Sequence, residues 1–338
     1  MKRVNVNFSE YMNDWLYGDE GYYSKFRQIG QKGDFYTAVS ATPFFGGSIA
    51  KHIISVIDEG FLSKNALICE IGAHQGYLLA DIVQFIYTLR PGLLDTLRFA
   101  IVERFESVRD EQRKYFSDSF GDAIKLELYN SLDELHEDES FFVANEIFDA
   151  FGCELLYEGK IATVTDHTIT FDKVDEAIVQ KAKRYNQEKG EIAVGYEEFA
   201  QEMAKVSKKY EFVTFDYGEL AARPDFSSRI YQKHLVFALF DENITLKDYF
   251  ANSDITYDVN FSHLIDAFEE SGAKKEDYKT QLLALVDFGI HDLLEILQKN
   301  VSQKAYEVQV NKVKTLISPS FMGERFKMVR FRKSGGTK

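Results

Sequence analysis

Short apolar runs, each closing on a polar or acidic residue and most followed by a helical pattern, set the rhythm of this chain. Residues 66–71 (ALICEI) come first, followed by a glycine-containing turn at 72–76 and an apolar-periodic stretch over 77–89. Residues 98–103 (RFAIVE) lead into a charged helical pattern at 107–116. Residues 124–129 (IKLELY), 140–144 (SFFVA) and 210–216 (YEFVTFD) complete the series. Strands alternating with helices over this length predict an α/β fold, a mostly parallel sheet with helices on both faces. Such sheets bind ligands outside the carboxyl ends of their strands, near the point where the strand order reverses. Residues 1–60 read as an aromatic-rich N-terminal cap and 61–240 as the core. The core carries an insertion at about 166–208, mostly one or two helices over 176–187 and 196–208. Residues 241–332 read as a mainly helical extension whose last alternation, 325–332 (RFKMVRFR), predicts an antiparallel strand returning to the sheet. Residues 333–338 read as a disordered tail. No Pro/Gly-rich linker separates these pieces, so one compact unit with a cap is expected.

Charge and composition narrow the function classes. The 338 residues include 40 Lys+Arg and 54 Asp+Glu, a net charge of −14. That balance argues against a partner bound through a nucleic-acid backbone. No apolar run reaches 18 residues, so no membrane insertion is expected. The start of the chain has neither an apolar signal core nor an Arg/Ser-rich presequence, so the expected location is the cytoplasm. Cys69 and Cys153 both lie in apolar segments and read as buried, reduced thiols. The seven histidines show no paired helical spacing, and no metal site is expected. Neither a Gly-x-Ser-x-Gly elbow nor a Walker loop occurs.

The first strand runs into Glu70-Ile71-Gly72-Ala73-His74-Gln75-Gly76. A glycine-rich turn between strand and helix lets backbone approach a ligand and presents amides to it. Glu103, at the end of the next strand, is the type of residue that accepts both hydroxyls of a ribose. Dinucleotides and S-adenosylmethionine both use this plan. A pyrophosphate would meet the His74 side chain and the Glu70 charge, whereas the cationic methionine end of S-adenosylmethionine suits an acid there. The pattern favours the methyl donor, although a plain structural turn has the same appearance. After the fourth strand come Asn145-Glu146-Ile147-Phe148-Asp149-Ala150, polar groups where a methyl donor would present its reactive carbon. The alternative is a helix cap at Asn145 with Glu146 complementing the dipole.

Taken with these motifs, the chain resembles the MidA family of S-adenosylmethionine-dependent methyltransferases, whose mitochondrial members are complex I assembly factors that methylate an arginine. The resemblance runs nearly end to end. It includes residues 8–12 (FSEYM), 33–37 (GDFYT), 70–76, 145–150 (NEIFDA), 216–218 (DYG), Tyr231 with His234, 254–256 (DIT), 259–261 (VNF), Met322-Gly323 and Phe326-Lys327. The family pattern at the turn is E-x-G-x-G-x-G, and His74 replaces its middle glycine. Asn260 stands where Asp is common, and the prolines usual after NEIFDA are missing. The resemblance implies a Rossmann-like class I methyltransferase fold with a seven-stranded sheet, S-adenosylmethionine as cofactor and S-adenosylhomocysteine as product. It further implies a protein substrate carrying an acceptor arginine, such as a respiratory-complex subunit.

Resemblance and position together assign roles. Gly72 and Gly76 shape the cofactor loop, Glu70 lies beneath the amino-acid moiety and Glu103 holds the ribose. Asn130 and Ser131 follow the third strand, where an adenine edge is met; Asn-Ser is equally an ordinary turn pair. Asn145 ends the fourth strand. Gly33, Asp34 and Tyr36 belong to a segment that in this family folds over the cofactor, with Asp34 suited to its ammonium group. Methyl transfer to nitrogen needs an aligned acceptor and a route for its proton. A planar, cationic guanidinium fits carboxylates. Glu146 is the first candidate for that role and Asp149 the second, with Glu154 a weaker partner eight residues after Glu146. His234 and Asp216 are candidate acid/base groups or core hydrogen bonders. Two other functions remain open: a catalytically weak assembly or binding protein, which His74 favours, and a small-molecule methyltransferase.

Overall fold

Segments that are apolar without alternation bury both faces and become interior strands. The computed structural model describes residues 5–24 and 37–335, and it places these segments side by side. Leu67–Ile71 (β1) is buried at every position and Arg98–Val102 (β2) at all but its first. Leu126–Tyr129 (β3), Glu137–Asn145 (β4), Ser207–Glu219 (β5), Lys274–Thr280 (β6) and Phe326–Lys333 (β7) complete the sheet. Its order is β6-β7-β5-β4-β1-β2-β3. The pairs β5–β4, β4–β1, β1–β2 and β2–β3 are parallel, and β6–β7 is antiparallel. The helix Tyr77–Leu89 follows β1 and the helix Glu106–Phe120 follows β2. The strand order reverses at β1: β2 and β3 lie to one side, β4 and β5 to the other.

Charge as well as apolar burial holds β7 in place. Glu211 on β5 is fully buried, yet Arg332 Nε on β7 donates to it at 2.5 Å and His52 Nε2 lies 2.5 Å away. Burial alone would raise this carboxyl; the His52 hydrogen bond and the Arg330 and Arg332 charges hold it below its usual range. An unpaired carboxylate there would be costly, so the two guanidinium groups of β7, Arg330 and Arg332, favour this strand as the neighbour of β5.

The chain divides into two compact units. A sheet unit comprises residues 36–145, 201–216 and 272–338, and a second unit comprises 1–35, 146–200 and 217–271. β5 belongs to the sheet unit as far as Asp216 and to the second unit from Tyr217. Within the second unit, Val6–Asn7, Lys160–Thr165, Cys153–Tyr157, Lys189–Ala193 and Thr168–Lys173 form an antiparallel sheet. Three further strands, Leu235–Ala238, Arg229–Gln232 and Asp254–Thr256, form another. The end of β5 pairs in parallel with Val259–Asn260. Gly218 makes that pair feasible: its φ is +150°, and a Cβ would come within 2.1 Å of the Val259 carbonyl oxygen.

Two expectations change. The insertion does hold the helices Glu176–Arg184 and Tyr196–Val206, but strands flank them, and the apolar face of the first covers the sheet residues Leu156, Ile161 and Ile192. The division of the chain also differs from a cap on one unit: the N-terminal 60 residues split between the two units, the helix Phe44–Asp58 belonging to the sheet unit.

Candidate functional site

Backbone register gathers the sheet unit's candidates at one edge. Ile71 pairs with Val102, Val102 with Tyr129 and Glu70 with Val143, so Gly72, Glu103, Asn130 and Asn145 all lie just beyond that level. The ladder continues past the strands. The Gly72 amide donates to Val102 O at 3.1 Å and the Glu103 amide to Tyr129 O at 2.9 Å.

The turn explains its own glycine pattern. Gly72, His74 and Gly76 have φ of +69°, +44° and +74°, an alternation of left-handed residues that L side chains adopt at a cost. His74 takes the middle position, and Gln112 Nε2 donates to its carbonyl at 2.8 Å. Its ring is half-buried, and burial holds its imidazole down to about 4, so it is neutral at pH 7. Gly72 is exposed, leaving backbone open to a ligand, whereas a Cβ on Gly76 would press on Ile101 and Phe116 at 3.3 Å.

Glu70 works for the helix that follows. The helix N-cap is Gly76, which has no side chain, and Glu70 Oε2 accepts the Leu79 amide at 2.9 Å instead. With 4% of its surface exposed, Glu70 is pushed up to about 8 by burial, against the pull of that amide and with a further push from Asp81. Burial likewise lifts Asp81 to about 7. Glu103 is half-buried and accepts the Phe105 amide at 3.1 Å. Burial raises its carboxyl, opposed by that amide and by the Arg104 and Arg109 charges. Asn130 and Ser131 are exposed and bonded within their own turn, Asn130 Nδ2 to Glu134 at 2.6 Å and Ser131 Oγ to Asp133.

In the second unit, Glu146 has a left-handed φ of +55° and is half-buried. The turn after it is tied down at three successive carbonyls. Tyr196 Oη donates to Phe148 O at 3.0 Å, the Tyr257 amide to Asp149 O at 3.1 Å and Tyr17 Oη to Ala150 O at 3.1 Å. Such over-determination is what keeps a strained residue in one conformation. Asp149 is buried, and burial pushes its carboxyl up to about 6 against the pull of the Tyr217 hydroxyl and the Arg229 charge; the Tyr217 hydroxyl donates to Thr256 Oγ1. Glu154 lies on the strand Cys153–Tyr157 and accepts Ser9 Oγ at 2.5 Å, a buried structural pairing. Lys233 and His234, with φ of +51° and +64°, form the exposed two-residue turn of the hairpin Arg229–Ala238, and His234 is surface-exposed there. Asp216 is fully buried on β5. Gly33, Asp34 and Tyr36 lie outside the described residues. Among the described residues no group of three or more His, Cys, Asp or Glu could hold a metal ion, and no helix is long and apolar enough to cross a membrane.

A strand-end carboxylate beside an open glycine turn suits an adenosine cofactor, and comparison with known proteins decides the family. Residues 48–279 match the family described as "Putative S-adenosyl-L-methionine-dependent methyltransferase". The chain belongs to it. This is the MidA family of S-adenosyl-L-methionine-dependent methyltransferases. Among its relatives is a Danio rerio protein named protein arginine methyltransferase NDUFAF7, mitochondrial, 23% identical over 95% of this chain and 82% of that protein. A Mus musculus protein of the same name is also 23% identical, over 95% and 79%. A COG1565 superfamily structure from Burkholderia thailandensis, bound to S-adenosyl-homocysteine, shares the fold with a TM-score of 0.83 at 23% identity, covering 98% of this chain and 89% of that one.

Within the family assignment, the structure also groups residues that carried no role in the sequence. Tyr217 and Thr256 belong to the DYG and DIT segments of the resemblance, so a signal existed. Arg229 and Asp258, which complete their cluster, belong to no motif, and only the packing reveals them.

Proposed function

We propose that this methyltransferase has a Rossmann-like class I fold and transfers the methyl group of S-adenosylmethionine to an arginine nitrogen of a protein. The observation that carries the cofactor half is the alternating left-handed turn at 72, 74 and 76, level with the strand-end carboxylate of Glu103. Gly72, Gly76 and Glu103 would hold the cofactor, with Asn130, Ser131 and Asn145 at the same edge; Glu70 would act through the helix it caps. Bound there, the cofactor supplies a methyl group on a cationic sulfonium. Glu146 orients and neutralises the acceptor guanidinium, a role favoured by its strained, pinned backbone one peptide bond after Asn145. Support for arginine as acceptor comes from the relatives' names and from the acidic chemistry of the 146–149 segment.

A second reading, an assembly or binding protein with weak turnover, draws on His74 in a position suited to glycine. Calorimetric titration with S-adenosylmethionine and S-adenosylhomocysteine, followed by radiolabelled methyl transfer into extract of a deletion strain, separates the two. The methyltransferase reading expects binding and a labelled protein. It also expects a fall of about two orders of magnitude or more in Glu146→Gln with cofactor affinity retained. Equal labelling by Glu146→Gln removes its assigned role, and absence of cofactor binding favours the second reading.

A further inference from the structure

Backbone bonds tie the glycine turn at both ends. The Gly72 amide donates to Val102 O at 3.1 Å and the Gly76 amide to Ala73 O at 2.8 Å. Between them His74 carries a side chain at a φ of +44°, a conformation that L residues keep only when their surroundings impose it. Those surroundings come from the helix Glu106–Phe120, which follows β2. Gln112 on that helix is fully buried, and its Nε2 donates to His74 O at 2.8 Å. Arg109, one turn earlier on the same helix face, donates from Nη1 to Glu103 O at 2.5 Å. One helix face thus braces the main chain of both loops that carry the cofactor candidates.

Glutamine is a costly residue for that position. A Cβ on Gly76 would lie 3.6 Å from Gln112 Cγ and 3.3 Å from Ile101 and Phe116, so the amide sits among apolar groups. Its Oε1 is buried and has no hydrogen-bond partner among the described residues, a desolvated acceptor that methionine or leucine would not leave. The orientation of the amide follows from its partner, since an oxygen turned towards the His74 carbonyl would repel it. What the amide contributes is therefore one donor bond, made to the one residue of the alternation that is not glycine.

We propose that Gln112 is a positioning residue for cofactor binding: by holding the His74 carbonyl it keeps the turn in its left-handed alternation, with histidine where glycine would need no support. This rests on the reading of residues 72–76 as the cofactor turn. Without the bond, the backbone at His74 would relax towards the right-handed or extended regions open to a histidine, and the backbone offered at Gly72 would move with it. His74 and Gln112 are accordingly a matched pair, contributed by two different βα units, and the histidine is compatible with an intact site.

The test is a double-mutant cycle on the intact protein, read by calorimetric titration with S-adenosylhomocysteine. Gln112→Met keeps the length and bulk of the side chain and loses the donor. It is expected to weaken binding about tenfold or more beside His74, the scale of one lost hydrogen bond. In the His74→Gly background the same change is expected to cost less than about threefold, because glycine adopts the turn unaided. Gln112→Leu repeats the cycle with a different apolar shape, and denaturant midpoints report that each variant is folded. A packing role would cost the same in both backgrounds, so equal losses, or no loss in either, overturn the proposal. Failure of the wild type to bind S-adenosylhomocysteine overturns instead the cofactor reading of the turn, and the role of Gln112 falls with it.

Discussion

The two units of this protein are built by different rules. The sheet unit is close to charge balance, with 25 basic and 27 acidic residues, whereas the second unit has 15 basic and 27 acidic. Nearly all of the chain's negative charge therefore belongs to the smaller unit, a field that acts on cations over distances of about a Debye length. The sheet unit takes its form from continuous apolar strands whose neighbours are set by burial. The second unit relies on short antiparallel strands and on aromatic clusters, in which Phe148 packs edge-on to Tyr196 and Phe199 and stacks on Phe151. Burial supplies most of the stability in the first; in the second, specific polar and ring contacts hold the Glu146–Ala150 turn. A uniform apolar sheet tolerates substitution within its volume, while a pinned turn depends on individual atoms.

The strongest way to break this contrast is at Gly218. Gly218→Ala places a methyl group against the Val259 backbone at a φ that L residues avoid, and a loss of at least about 2–3 kcal/mol is expected. Hydrogen exchange should show protection falling in residues 146–200 and 217–271 well before it falls in β1 and β4. Uniform loss across both units would mean that they unfold as one.

Next in size is a pH effect confined to the sheet unit. Because the folded-state value for Glu70 is raised to about 8, the native protein holds a proton that the unfolded chain has released above about 4.3. Stability therefore declines as pH rises from about 4.3 towards 8, and Glu70→Gln, which keeps an acceptor for the Leu79 amide, should flatten that decline by on the order of 2 kcal/mol or more. Denaturant midpoints at pH 5 and pH 8 measure it. An unchanged slope would show that Glu70 is ionised in the fold.

The cofactor assignment separates the units at a smaller scale. Glu103→Ala should weaken S-adenosylhomocysteine binding by about 1.5–3 kcal/mol, while Glu146→Gln should leave it intact. Calorimetry on the pair decides, and equal losses would end the division of labour between the two carboxylates. The smallest effect is expected at His74. Replacing it by glycine relieves a left-handed side chain without adding a contact, so cofactor affinity should change less than about tenfold. A hundredfold gain would mark the present turn as damaged and favour the binding-protein reading.

Much of the sheet unit was legible in the chain, and the reason is physical. ALICEI, RFAIVE, SFFVA and YEFVTFD appear as β1, β2, β4 and β5 because runs of this kind have nowhere else to bury both faces, while IKLELY appears as the half-exposed edge strand β3 and RFKMVRFR returns as β7. The turn's glycines followed from the conformation they adopt. The same logic failed over 153–193, where the short strand Lys160–Thr165, buried at its four central positions, pairs with the short and largely exposed Thr168–Lys173. Strands of that kind take their pairing from neighbours brought in by the fold, including Val6–Asn7 more than 150 positions away. Glu70 shows the same limit within a correctly placed motif: its position was evident, but its bond to the Leu79 amide depends on how the helix returns.

By itself, then, the sequence determined the parallel strands, the glycine turn, the strand-end acids and the family, because each is written in residues close together in the chain. Tertiary structure decided the rest: the split into two units, the three tied carbonyls beside Glu146, the exposed hairpin turn of His234, and the cluster of Arg229, Asp258, Tyr217 and Thr256. Local periodicity reports which face of a segment avoids water. It carries no record of which distant charge or hydroxyl will meet a buried carboxyl, and those meetings set the chemistry of this site.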